Sequence, residues 1–155
     1  MSQELKTKGT DQNRYNKDQA NGVQYLSFTL ANEEYGVDIL RVQEIRSWEP
    51  VSRIPNVPHY EKGVVNLRGS IVPIIDLRQK LGIIFAEYTP LTVVVVLQTS
   101  DEKKTRTMGV VVDSVSDVIT LDKTQIQDAP DFGAKISSEF INGLVSVNDR
   151  MVILL

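Results

Sequence analysis

Few residues in this 155-residue chain could carry covalent or acid–base chemistry. There is no cysteine and one histidine, His59. Thiolate nucleophiles, disulfides, iron–sulfur clusters and multi-histidine metal centres are therefore excluded. His59 sits in Pro58-His59-Tyr60, which reads as an exposed loop rather than as part of a nucleophilic triad. Carboxylates are the remaining acid–base option. Glu44, Asp76 and Asp113 lie inside apolar stretches, but at unlike places in the pattern. Asp76 and Asp113 read as helix caps, and Glu33-Glu34 as a solvated hairpin turn. Asp113-Ser114-Val115-Ser116-Asp117 has the opening spacing of a calcium loop, but lacks its turn glycine and its distant bidentate glutamate. Phosphate-binding, dinucleotide-binding, nucleophile-elbow and zinc-protease motifs are absent from the sequence. The expectation is a protein with no catalytic residue, no metal and no cofactor.

Binding chemistry is more promising. Glu44 and Arg68 are charges set among aliphatics, in Val42-Gln43-Glu44-Ile45 and Val64-Val65-Asn66-Leu67-Arg68-Gly69. A charge on a half-buried strand face needs a partner. The two are candidates to pair with each other; the alternative is an exposed structural ion pair. Nucleic acid is not the expected partner, because 17 Lys and Arg face 20 Asp and Glu, for a net charge of −3. Lys103-Lys104-Thr105-Arg106 follows Asp101-Glu102 and reads as a solvated hairpin tip. An oligonucleotide-binding β-barrel would need a basic, aromatic-studded face, and a carboxylate enzyme would need two acids converging in a cleft.

The elements that must position these residues are strands. Leu26, Phe28 and Leu30 alternate with polar residues, as do Tyr35, Val37 and Ile39, which predicts a hairpin turning at Asn32-Glu33-Glu34. Val64–Leu67 and Ile71–Ile75 flank Arg68-Gly69, a second hairpin whose glycine suits a tight turn. Pro73 cannot donate to a ladder and predicts an edge or opening there. Thr92–Leu97 holds four consecutive valines, the mark of a strand buried on both faces. Asp38–Val42 predicts a single helical turn. Asp76–Gly82 predicts a short helix, capped by Asp76 and stopped by Gly82. Between Ser2 and Gln19 only Leu5 and Tyr15 are apolar, so residues 1–22 are expected to be a disordered tail and 23–155 the folded domain. Neither a membrane-length apolar run nor a signal segment is evident, which makes the cytoplasm the expected compartment.

The chain also repeats itself. Gly36-Val37-Asp38-Ile39-Leu40-Arg41-Val42-Gln43-Glu44-Ile45 recurs as Gly109–Val118, 73 positions later. Gly63–Leu67 and Ile71-Val72 recur as Gly143–Val147 and Met151-Val152, 80 positions later, with the turn Arg68-Gly69 falling on Asn148-Asp149. The change in offset places about seven extra residues near Gln127–Lys135. Two β units of about 60 residues are each too small to bury a core alone, so they are expected to share an apolar interface.

These residues resemble the CheW-like domain of bacterial chemotaxis. The likeness rests on Gln24–Phe28, Glu34–Leu40, Val42–Ile45, Gly63–Gly69 and Ile74–Arg78, and continues in Gly109–Asp113, Ser116–Val118 and Gly143-Leu144. The resemblance implies a mostly β fold of two intertwined, SH3-like five-stranded barrels with one or two short helices. It implies a non-catalytic adaptor that couples chemoreceptors to the histidine kinase CheA, at receptor arrays on the inner membrane. The nearest alternative is a detached CheA-type regulatory domain of the same fold. The receptor's helical tip is implied to dock in a groove between the two barrels, on Val42, Glu44, Ile45, Asn66, Arg68 and Gly69, and the kinase regulatory domain to bind the barrels pseudo-symmetrically, with Phe132 as one contact. The family usually continues into a C-terminal helix, which the repeat would start just after Leu155, so that helix is expected to be missing here.

Overall fold

The computed structural model describes residues 22–83, 87–101, 104–128 and 141–155. They form ten strands: β1 (Gly22–Leu30), β2 (Glu33–Asp38), β3 (Val42–Ser47), β4 (Glu61–Leu67), β5 (Ser70–Asp76), β6 (Val93–Asp101), β7 (Lys104–Val112), β8 (Ser114–Asp122), β9 (Gly143–Val147) and β10 (Arg150–Leu154). One helical turn, α1 (Leu77–Lys80), follows β5, and 3₁₀ turns occupy Ile39–Arg41 and Lys123–Gln125. Short polar side chains start each of the three. Asp38, Asp76 and Asp122 accept the backbone N–H two residues on, at 2.9, 3.1 and 3.1 Å. Gly82, at φ +80°, follows α1 in the left-handed conformation that ends helices.

The strands form two curled five-stranded sheets, ordered β8-β1-β2-β10-β9 and β3-β6-β7-β5-β4. Replacing each of β1–β5 by its counterpart among β6–β10, and the reverse, converts one order into the other. Each sheet takes strands from both halves of the chain, so the halves are intertwined. The register carries the repeat to single residues. In the parallel pair β5–β7, Ile74 faces Gly109; in β10–β2, Leu154 faces Gly36. Those partners are offset by 80 and 73, the two spacings of the sequence repeat.

Burial explains why the halves cannot separate. A central core is built from Leu26, Phe28, Leu30, Tyr35 and Val37 of one sheet and Val95, Leu97, Val110 and Val112 of the other. Each sheet also encloses its own cluster: Val72, Ile74, Val94, Val96 and Val111 in one, Leu121, Val145, Val152 and Leu154 in the other. β6 therefore sends Val95 and Leu97 to the shared core and Val94 and Val96 into its own barrel, which accounts for the valine run. At roughly 1.5–3 kcal/mol per buried aliphatic side chain, the shared core is a large fraction of the driving force.

Three local expectations are corrected. The first hairpin turns at Ala31-Asn32, both at positive φ (49° and 65°), and Glu33-Glu34 already belong to β2. That is the type I′ arrangement favoured by strand twist. β5 is an interior strand rather than an edge. Pro73 is tolerated because β7 joins only from Ile74, so Pro73 pairs with β4 alone. Asp113 heads no helix; it lies in the β7–β8 corner and serves a different purpose, described next.

Candidate functional site

β3 and β4 are the two edges of one sheet, and a cleft opens between them. It has a volume of about 260 Å³. Val94, Val96 and Ile74 lie at its base, Arg46 and Ser47 on the β3 side, and Asn66 and Leu67 on the β4 side. The chain returning from β3 closes one end through paired backbone bonds, Ser52 N–H to Val64 O at 3.3 Å and Val64 N–H to Ser52 O at 2.9 Å. Gly63 permits this. A Cβ there would stand 2.0 Å from the Ser52 carbonyl oxygen, and its φ of +148° is one that side chains rarely adopt.

The β3–β6 register is interrupted between Val42 and Glu44, leaving Gln43 as a bulge. The bulge divides the candidate residues between two faces. Val42 faces Leu97 and Ile45 faces Val95, both on the shared-core side, and Ile45 remains 45% exposed. Glu44 faces Val96 and Arg46 faces Val94, on the cleft side. Across the cleft, Asn66 organises the hairpin tip, its side-chain oxygen accepting the Gly69 N–H at 2.9 Å. Arg68 and Gly69 form the turn itself, at φ 54° and 88°. The structure thus joins Glu44 to the cleft wall and Asn66 to Arg68-Gly69, while Val42 and Ile45 look to the other side of β3. Arg68 is exposed in the turn rather than half-buried on a strand. Glu44 pairs instead with Arg46, at 3.7 Å, with side chains 34% and 40% exposed; such a pair contributes well under about 1 kcal/mol. Arg68 makes no ion pair among the described residues. Phe132 lies outside the described residues.

A buried charge cluster is the feature that sequence reasoning missed. Arg78 is wholly buried. Its Nε and Nη2 donate to the two oxygens of Asp76, both at 3.0 Å, and its Nη1 donates to Asp113 at 2.8 Å and to the Glu87 carbonyl at 2.6 Å. The second oxygen of Asp113 accepts the Ala31 N–H at 2.8 Å, in the β1–β2 turn. The Tyr88 hydroxyl donates to Asp76 at 2.7 Å, and the Arg78 guanidinium lies 4.9 Å from the Tyr88 ring centre. Burial pushes the Asp76 carboxyl up, but the hydrogen bonds from Arg78 and Tyr88 and the Arg78 charge prevail and hold it below its ordinary range. Burial, aided by the Asp76 carboxylate, pushes the Tyr88 hydroxyl up to about 12. These groups are mutually saturated, so the cluster is a fastening rather than a reactive centre. The available signal was the position of Arg78 on α1, about 60° around the helix from Leu81, on the inward side.

Among the described residues no group of acids and histidines has the geometry of a metal site. No described helix is long and apolar enough to cross a membrane.

Known proteins place this architecture. The model of the CheW-like domain matches residues 24–155. The chain is 50% identical to the chemotaxis protein CheW of Klebsiella aerogenes, over 86% of this chain and 78% of that one. It is 37% identical to the chemotaxis protein CheW of Rhizobium meliloti, over 86% of this chain and 83% of that one. The crystal structure of the scaffolding protein TtCheW from Thermoanaerobacter tengcongensis matches it with a TM-score of 0.77 at 30% identity, over 86% of this chain and 83% of that one. An intertwined double β unit, matched by the family model over residues 24–155 and by a relative half identical in sequence, makes this chain a member of the CheW-like domain family.

Proposed function

We propose that this protein is a non-catalytic coupling adaptor of bacterial chemotaxis, joining the cytoplasmic tip of a chemoreceptor to the regulatory domain of the histidine kinase CheA. The observation that carries the reading is the cleft between β3 and β4. It has an aliphatic base of Val94, Val96 and Ile74, and polar walls supplied by Arg46 and Asn66. An amphipathic helical tip needs such a surface: apolar contact for affinity and a few charges for orientation. Glu44 sets the charge of the β3 wall through Arg46, and Arg68-Gly69 extend the β4 wall at the hairpin tip. Val42 and Ile45 offer an aliphatic strip on the other side of the same strand, which a receptor wrapping the edge would meet. The names of the relatives, chemotaxis and scaffolding proteins, support an adaptor rather than an enzyme. The domain carrying these contacts is residues 23–155, working in the cytoplasm at the receptor array. The kinase contact is assigned to Phe132 on family likeness.

The test is co-sedimentation of the chain with receptor-containing membranes, with and without CheA. The adaptor reading expects the chain to pellet with receptor and to increase the kinase recovered with it. A chain that stays in the supernatant in both arms overturns the reading.

A further inference from the structure

The buried cluster reaches the cleft. Tyr88, held by Asp76 and Arg78, stacks on Trp48 with ring centres 4.6 Å apart and planes 21° from parallel. Trp48 is the residue directly after β3, and its backbone N–H donates to the Thr92 carbonyl at 3.2 Å. The residues before it, Arg46 and Ser47, and those after it, Pro50 to Ser52, all line the cleft. Trp48 packs against the barrel cluster of Val72, Ile74, Val94, Val96 and Val111 and stacks on the Tyr88 ring, so both hold it beside the β3 wall.

The acceptors of Arg78 come from three separate stretches of chain. Asp76 ends β5, Glu87 belongs to the connection between the halves, and Asp113 turns β7 into β8. One guanidinium thereby fixes the connection, and with it Tyr88, against both sheets. Among the described residues the repeat places exposed Leu40 where the second half has Asp113, so the Asp113 acceptor has no counterpart in the first half. A buried ion cluster is a poor means of gaining stability, since apolar residues of similar volume usually do as well. Its distinctive product is a single geometry, and a binding wall displaced by an ångström loses its complementarity.

We propose that Arg78 is a positioning residue for the β3–β4 cleft: clamped by Asp76 and Asp113, it holds Tyr88 against Trp48 and so sets the wall that carries Arg46. This inference rests on the cleft being the receptor site.

The chain contains one tryptophan, so Trp48 reports on its own surroundings by fluorescence. The experiment compares the full chain with Arg78→Lys, Tyr88→Leu and Tyr88→Phe, reading Trp48 emission and acrylamide quenching alongside receptor-membrane binding. Lysine keeps the charge but cannot span Asp76, Glu87 and Asp113 at once. Arg78→Lys and Tyr88→Leu are expected to shift Trp48 emission to the red, raise quenching, and weaken receptor binding about 5-fold, the size of effect seen for residues coupled to a site without touching the ligand. Tyr88→Phe loses the hydroxyl bond to Asp76 but keeps the ring on Arg78 and Trp48, and should fall between the unaltered chain and Tyr88→Leu in both readouts. If Arg78→Lys fails to fold, Tyr88→Leu, at a partly exposed ring, carries the test. Unchanged Trp48 fluorescence, or altered fluorescence with receptor binding intact, overturns the positioning role. Failure of the unaltered chain to bind receptor overturns the proposed function instead, which keeps the two distinguishable.

Discussion

Gly109 faces Ile74 across the parallel β5–β7 pair, with no room for a side chain between them. A Cβ on Gly109 would stand 2.5 Å from Ile74 Cδ1 and 2.8 Å from Val94 Cγ1. Its counterpart Gly36, facing Leu154, is less confined: the nearest atom, Leu154 Cδ2, is 3.1 Å away. Ile74 and Val94 are buried in the core of their barrel and Val94 is stiff at χ1, so neither can give way cheaply. Gly109→Ala is expected to cost about 1–3 kcal/mol by overpacking, and Gly36→Ala under about 1. Urea unfolding midpoints of the two variants check this. Equal midpoints would show that the two halves pack their parallel strands with the same slack.

Gly69 presents the opposite case. Nothing lies within 4 Å of where its Cβ would be, so only its φ of +88° resists substitution. Gly69→Val should cost about 1–2 kcal/mol through backbone strain alone. Gly69→Asn, which tolerates the left-handed region, should cost less. Similar losses in both variants would mean that the hairpin tip makes contacts beyond its backbone.

The pairing of Glu44 with Arg46 changes what double mutants should show. Each single alanine variant of Glu44, Arg46 or Arg68 should shift stability by less than about 1 kcal/mol, because the groups are exposed or half-exposed. On receptor binding, Glu44→Ala with Arg46→Ala should be non-additive, since the two touch, and Glu44→Ala with Arg68→Ala should be additive. Binding isotherms to receptor membranes decide it. Coupling between Glu44 and Arg68 would show that the bound state rearranges their partners.

The elements that follow from local pattern were legible in the sequence. The hairpins, the cap at Asp76, the 3₁₀ turn after Asp38 and the doubly buried valine strand all depend on neighbours within a few residues. The repeat went further, because its two offsets contain the register of the parallel pairs. Three things depended on distant partners and escaped. The bulge at Gln43 decides which face Glu44 and Ile45 occupy, and only the β6 register reveals it. The predicted helix Asp76–Gly82 contains Arg78 without assigning it a role, because its partner Asp113 is 35 residues away. Asp113 itself reads as a cap because a short acid at a corner has two uses, and sequence does not rank them.

The buried cluster contributes to the pH dependence of the fold, and Tyr25 and Tyr35, whose hydroxyls burial also pushes up, add to its alkaline side. Asp76 has a folded pKa below its ordinary 3.8. A lowered carboxylate contributes stability that is present above pH 3.8 and is lost as pH falls through the folded value. Tyr88 works at the other end. Its folded pKa of about 12 lies above the ordinary 10, so its contribution is complete below pH 10 and disappears as pH rises towards 12. Stability should therefore be level with respect to these two groups from about pH 4 to pH 10 and decline outside that window. Asp76→Asn removes the carboxylate that takes two of the Arg78 bonds, leaving the buried guanidinium to Asp113 and the Glu87 carbonyl. The expected loss is about 3–5 kcal/mol at neutral pH, the usual consequence of breaking a buried pair from one side. The variant should also lose the part of the acid limb that belongs to Asp76, so its stability curve should be flatter than that of the unaltered chain below pH 4. Tyr88→Phe should flatten the alkaline limb and, by removing one of the bonds that hold the Asp76 carboxyl low, reduce the acid limb to a lesser extent. Urea midpoints measured from acid to alkaline pH separate the two contributions. An unchanged acid limb in Asp76→Asn would assign the acid sensitivity to other carboxylates and reduce the Asp76–Arg78 pair to a packing contact.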